Sequence, residues 1–193
     1  MTKSRWIVMS SAWVLLVACG GGGGGGTSSQ PSQPAKAVGL VYTDPAGGDF
    51  RLVRDASSTS TKLILRLVGP AASAGRGVAF TFSVDPALVD LVKVADADAE
   101  YVQNGEAFVL GDAPRVLKGI KQNGTLHVTV SQKGPGAARG LDAALLRVAV
   151  QFKAAAGLGV GTAIPLSVTE GQYLPADGGP VAMAVSVGSL KAQ

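Results

Sequence analysis

The chain has 193 residues, 16% of them charged, with 17 basic and 13 acidic side chains for a net charge of +4. The basic residues are scattered rather than gathered into a stripe, which excludes nucleic acid as a partner. A lone cysteine excludes an internal disulfide framework, so stability has to come from packing.

Lys3 and Arg5 precede an apolar run from Trp6 to Val17 and the small residue Ala18, the three parts of a bacterial export leader. The run falls short of the roughly 20 apolar residues that span a bilayer. Leu16-Val17-Ala18-Cys19 resembles the lipobox of bacterial lipoproteins. The resemblance implies that the Cys19 sulfur receives a diacylglycerol, that residues 1–18 are removed as a signal peptide, and that the new amino group is acylated. A single acyl chain anchors marginally whereas two or three hold firmly, so the expectation is a lipid-anchored envelope protein that does not span the membrane. Gly20 rather than Asp after the cysteine implies, by the same resemblance, the outer membrane of a double-membraned bacterium. Lys3, Arg5 and both tryptophans, Trp6 and Trp13, leave with the leader.

Residues 19–36 comprise the cysteine, a run of glycines, and then Thr, Ser, Gln and Pro. Such a composition has much backbone entropy to lose and little to bury, and it reads as a disordered tether with a reach of about 20–25 Å. No strand precedes the glycines and no Gly-Lys-Ser/Thr follows them, so they are not a phosphate-binding loop.

Residues 37–193 have the length of one domain. Their dominant pattern has period two. Leu63, Leu65 and Leu67 alternate with polar or outward positions, as do Val78, Phe80, Phe82 and Val84, then Leu126, Val128 and Val130, then Leu146, Val148, Val150 and Phe152, and finally Val181, Met183, Val185 and Val187. Each set predicts a strand with one buried and one wet face, hence antiparallel sheets. Shorter strands are predicted at 38–42, 50–54, 107–110, 116–120 and 164–169, with turns at Asp44-Pro45, Gly47-Gly48, Asn104-Gly105, Asn123-Gly124 and Asp177-Gly178-Gly179. Asn123-Gly124 is the strongest hairpin, because a type I′ turn needs positive φ at both central residues. Helix is confined to a turn or two at 86–92 and to 137–144. The fold class is all-β, an antiparallel sandwich of jelly-roll kind with about nine strands.

The run Thr61 to Leu67, the run Gly77 to Val89 with its strand ending in Asp85-Pro86, the strands 124–131 and 144–153, and Thr162-Ala163-Ile164-Pro165-Leu166 are similar in order and spacing to a cohesin domain. Cohesins and their carbohydrate-binding relatives share a nine-stranded jelly roll and act by non-covalent binding. The resemblance implies a protein partner held on a sheet face, and it assigns no contact residue here.

Glycan platforms present flat aromatic rings. With both tryptophans in the leader, Tyr101 and Tyr173 are the candidate binding residues, and a glycan is the less favoured partner. Asp96, Asp98 and Glu100 recur at every second residue and, if extended, would point the same way. They are the candidate metal ligands, for calcium, although the EF-hand pattern is absent; no other cofactor is indicated. His127 stands on an outward strand face with Thr125 and Thr129, and no Gly-x-Ser-x-Gly or His-Glu-x-x-His motif accompanies it, so no enzyme is predicted. Gly157, Gly159 and Gly161 precede a strand rather than a helix and read as a turn. The function expected is a membrane-anchored, non-catalytic binding module using a sheet face or the loops 95–105 and 171–179. The alternative is a structural or accessory component of an envelope assembly such as a pilus or secretion apparatus.

Overall fold

Four of the five alternating segments fold as single strands, because only a pleated strand puts every second side chain on one face. The computed structural model describes residues 35–108, 115–132 and 137–193; Cys19, the leader and most of the tether lie outside them. In chain order the strands are β1 (Leu40–Thr43), β2 (Phe50–Arg54), β3 (Lys62–Val68), β4 (Ala74–Val84), β5 (Val89–Val92), β6 (Val102–Asn104), β7 (Arg115–Gln122), β8 (Thr125–Gln132), β9 (Arg139–Gly140), β10 (Ala144–Phe152), β11 (Ala163–Ile164), β12 (Leu166–Pro175), β13 (Val181–Ala182), β14 (Val185–Val187) and β15 (Ser189–Ala192).

These strands form two six-stranded sheets. One runs β14-β2-β3-β10-β5 with β6 also on β10, the other β13-β12-β4-β8-β7 with β9 also on β4, and a small sheet β1-β15-β11 completes the body. Leu52, Leu65, Leu67, Val148 and Val150 from the first sheet share one buried cluster with Phe80, Phe82, Leu126, Val128 and Val130 from the second. Each such side chain contributes about 1.5–3 kcal/mol through burial. Asn123 and Gly124 have φ of 45° and 80°, the predicted type I′ turn, and they join β7 to β8 with Gln122 opposite Thr125.

The strands outnumber the nine expected because several are short and broken by identifiable residues. Pro165 lacks an N–H and separates β11 from β12. The helix expected over 86–92 is a single turn: the Asp85 carboxylate accepts the Ala87 N–H at 2.9 Å and its carbonyl accepts from Leu88 and Val89, both at 3.1 Å. The chain then extends as β5, burying Val89 and Leu91. No helix forms at 137–144 within the described residues. The Leu141 N–H donates to Ser73 at 3.0 Å and its carbonyl accepts from Gly69 at 2.7 Å, so its backbone groups pair across the chain instead of along it. Of the strand expected at 107–110, residues 107 and 108 are irregular, with Phe108 buried, and the other two lie outside the described residues.

The fifth alternating segment, 181–187, is two strands rather than one. β13 pairs with β12 in the second sheet, whereas β14 lies parallel to β2 in the first. The crossing between sheets breaks the facing pattern, so Val181 is exposed while Met183 is buried. Among the described residues this parallel pair is the exception to the antiparallel scheme.

Candidate functional site

The outward positions of the second sheet are small and hydroxylic, because β4 and β8 alternate core residues with Ala79, Thr81, Ser83, Thr125, His127, Thr129 and Ser131. Register stacks them into rows that cross the sheet. The central row is Thr169, Thr81, His127 and Ile120; the next is Ser167, Ser83, Thr125 and Gln122. Ile120, at the β7 end of the central row, is 59% exposed.

One hydrogen-bonded chain fixes the middle of this face. The Thr81 hydroxyl donates to Glu170 Oε2 at 2.8 Å and lies 3.1 Å from His127 Nδ1. Having given its only hydrogen to the carboxylate, Thr81 Oγ1 can only accept from the ring, so Nδ1 is the donor in that contact. The order is His, Thr, acid. In a nucleophilic triad the imidazole stands between nucleophile and acid and takes the nucleophile's proton; here Thr81 stands in the middle and donates a hydrogen bond to the carboxylate. The arrangement orients side chains and does not activate one.

Glu170 reaches this position through backbone strain. Its φ is +53°, a left-handed conformation uncommon for a residue with a side chain. It sits where the β12–β4 register slips between Thr169 and Gln172. The adjacent Gly171 has no room for a Cβ against the Met183 carbonyl. The bulge therefore swings a carboxylate over a face whose other members are mostly uncharged. Beside it, Gly77 and Ala79 leave a shallow groove of about 120 Å³ bordered by Thr129, Ser131, Gln172 and Leu174.

The residues singled out from the sequence fall in several places. Cys19 lies outside the described residues. Asp96, Asp98 and Glu100 occupy a run of turns, not an extended segment, so the common orientation expected of them does not arise. Asp98 Oδ2 accepts the Ala95 N–H at 2.8 Å, whereas Glu100 turns to β7, accepting the Gly119 N–H at 3.2 Å and pairing with Lys118 at 3.3 Å. The Gly119 bond holds the Glu100 carboxyl below its ordinary range, with help from Lys118 against partial desolvation. Among the described residues no three His, Cys, Asp or Glu side chains converge as metal ligands.

Tyr101 is half-buried beneath Lys121, whose Nζ lies 5.3 Å from the ring centroid. Tyr173 is half-buried on β12 and packs on Phe50 with centroids 5.4 Å apart. Tyr101 leads into β6, which contacts β7, so the two tyrosines lie toward opposite edges of the second sheet and form no common platform. Of the loop expected over 171–179, residues 171–175 belong to β12. His127, Thr125 and Thr129 are legible from sequence as an outward polar row; Thr81 and Glu170 come from other strands, Thr81 standing 46 residues from His127 and 89 from Glu170.

No family profile matches the sequence, and no curated protein matches it. Among solved structures, the sixth cohesin of scaffoldin B from Acetivibrio cellulolyticus is 12% identical, with 72% of this chain and 96% of that one covered and a TM-score of 0.48. A cohesin module from a Clostridium perfringens family 33 glycoside hydrolase is 10% identical over 80% of this chain and 98% of that one, with a TM-score of 0.46. A type II cohesin from Acetivibrio cellulolyticus, in complex with an X-dockerin, is 14% identical over 73% of this chain and 95% of that one, with a TM-score of 0.51. The chain thus has a cohesin-like all-β sandwich fold.

Proposed function

We propose that this chain is a non-catalytic module, anchored to the cell envelope through a lipid on Cys19, that holds a protein partner on the outward face of the second sheet. The observation that carries the reading is the central row Thr169, Thr81, His127 and Ile120, with Glu170 bulged over it. Thr81 is buried and braces the row, while Ile120 offers exposed apolar area and His127 and Thr169 offer hydrogen-bonding groups on a face sparse in charge, as the centres of protein interfaces are. A glycan platform presents flat aromatic rings, whereas Tyr173 is packed against Phe50 and Tyr101 lies under Lys121. The cohesin that shares this fold is described in complex with an X-dockerin, a protein ligand, which supports a protein here in kind without naming it.

The test is affinity capture from detergent-solubilised envelopes with wild-type protein, Ile120→Glu, and Val160→Glu, a matched change at another exposed apolar residue. A partner retained by wild type and Val160→Glu and lost about tenfold or more with Ile120→Glu supports the reading. Capture insensitive to Ile120→Glu removes this face from the assignment, and a stoichiometric multisubunit assembly captured in that way identifies a structural component of an envelope machine instead.

A further inference from the structure

The outward side of the first sheet holds a polar cleft of about 500 Å³ lined by Arg54, Asp55, Ala56, Arg66, Glu106 and Arg147, a volume in the range of small-molecule sites. β3 and β10 place Arg66 and Arg147 directly opposite each other, a like-charge cross-strand pair that is unfavourable unless something neutralises it. Arg147 is neutralised twice over. Its Nε donates to Asp55 Oδ2 at 2.8 Å and a terminal nitrogen donates to Glu106 Oε1 at 2.7 Å. Asp55 is fully engaged, since its other oxygen accepts the Ser57 hydroxyl at 2.6 Å and the Ser57 N–H at 3.0 Å.

Both carboxylates of the cleft are therefore committed to one arginine. Among the described residues neither Arg54 nor Arg66 pairs with a carboxylate, and Arg66 Nε is shielded from solvent without a hydrogen-bond partner. A guanidinium offers planar, forked donors matched to carboxylate and phosphate oxygens. We infer that this cleft is an oxyanion site, in which Arg66 and Arg54 bind a carboxylate or phosphate group on a small molecule while Asp55 and Glu106 hold Arg147 in place as the cleft wall. The ligand's oxygens would pair with the two guanidinium groups, of Arg66 and Arg54, that the cleft's own carboxylates leave without an ion pair. The cleft lies on the other sheet from the proposed partner face, and neither assignment depends on the other.

The test titrates isotope-labelled protein with inorganic phosphate and, separately, with glucuronate, following the arginine Nε–H resonances at ionic strength held constant with chloride. Saturable movement of the Arg66 resonance with either oxyanion, weakened roughly tenfold or more in Arg66→Gln and Arg54→Gln and unchanged in Arg51→Gln on the same sheet, supports the site. The stronger of the two anions then tells phosphate from sugar carboxylate. Arg54 is exposed, so Arg54→Gln keeps the test valid if Arg66→Gln fails to fold. Absence of saturation with both anions, the same response to chloride, or binding unaltered in the Arg54 variant overturns the inference.

Discussion

Asp55 offers the sharpest quantitative test of the first sheet, because its buried carboxylate ties a β-strand end to β10 through Arg147. Burial pushes this carboxyl up, but the Ser57 hydroxyl, Arg147 and the Ser57 N–H together outweigh it and hold it at about 2 against an ordinary 3.8. At 1.36 kcal/mol per decade of displacement, the charged form stabilises the fold by about 2 kcal/mol. A depressed carboxyl contributes this stability in full above the unfolded value near 3.8 and loses it as the pH falls through 2, since the unfolded chain takes up the proton first. Asp55→Asn removes the charge in an isosteric side chain, so urea denaturation near pH 6 should show a loss of about 2 kcal/mol, or about 4–8 °C in Tm for a domain of this size. Asp55→Ala should cost about 3 kcal/mol, the low end for breaking a buried pair, because Arg147 keeps Glu106. As the pH is lowered from 4 to 2 the gap between wild type and Asp55→Asn should close. Parallel decline of the two, or a loss under 0.5 kcal/mol near pH 6, would refute the assignment of that stability to Asp55.

Two further perturbations follow from particular contacts and a third from the sequence at Cys19. The Tyr42 hydroxyl donates to the Leu52 carbonyl at 2.8 Å and accepts the Gly188 N–H at 2.7 Å, so Tyr42→Phe leaves two partners unsatisfied and should cost about 2–3 kcal/mol in chemical denaturation. Burial pushes the same phenol up to about 12; its contribution is complete below pH 10 and lost as pH rises through 12, and the alkaline limb of the wild-type stability curve should be shallower in Tyr42→Phe. Gly124 has φ +80° and a Cβ there would lie 2.7 Å from the Val84 carbonyl oxygen, so Gly124→Ala should lower stability by about 1–3 kcal/mol, read from the thermal midpoint. Cys19→Ser should move the protein from the membrane to the soluble fraction after cell lysis, and persistence in the membrane would count against the lipid anchor.

What could be read from sequence was what is encoded locally. Period-two runs become β3, β4, β8 and β10, and Asn123-Gly124 becomes a type I′ hairpin, because strand facing and turn chirality depend on adjacent residues. The misread stretches are those where distant backbone decides. Residues 137–144 have a helix-compatible composition, yet Leu141 pairs with Gly69 and Ser73; residues 181–187 alternate, yet change sheets midway. The sites are of the same non-local kind. Thr81, His127 and Glu170 come from three strands, and the bulge that brings Glu170 over the sheet has no signature beyond a glycine at 171. The Arg66–Arg147 opposition depends on the β3–β10 register, which alternation alone leaves free.

The contacts around Ala35 determine how this body would bear a pull. Tension arriving along the chain from residue 34 is met first by the bonds of Ala35 and Ala37 to Val160 and Leu158, at 2.9 and 2.8 Å, and then by those of Val38 and Gly39 to Gln193, at 2.7 and 2.8 Å. Behind them stand the four β1–β15 register pairs and the Tyr42 clasp to Leu52 and Gly188. Apart from the 158–160 turn that holds Ala35 and Ala37, these fastenings belong to the small β1-β15-β11 sheet with its flanking residues and to its seam with β2, whereas the proposed partner face is on β12, β4, β8 and β7. Load from an anchor would therefore be taken up by the small sheet before it reached the strands that grip a partner, so the grip and the mooring could yield separately.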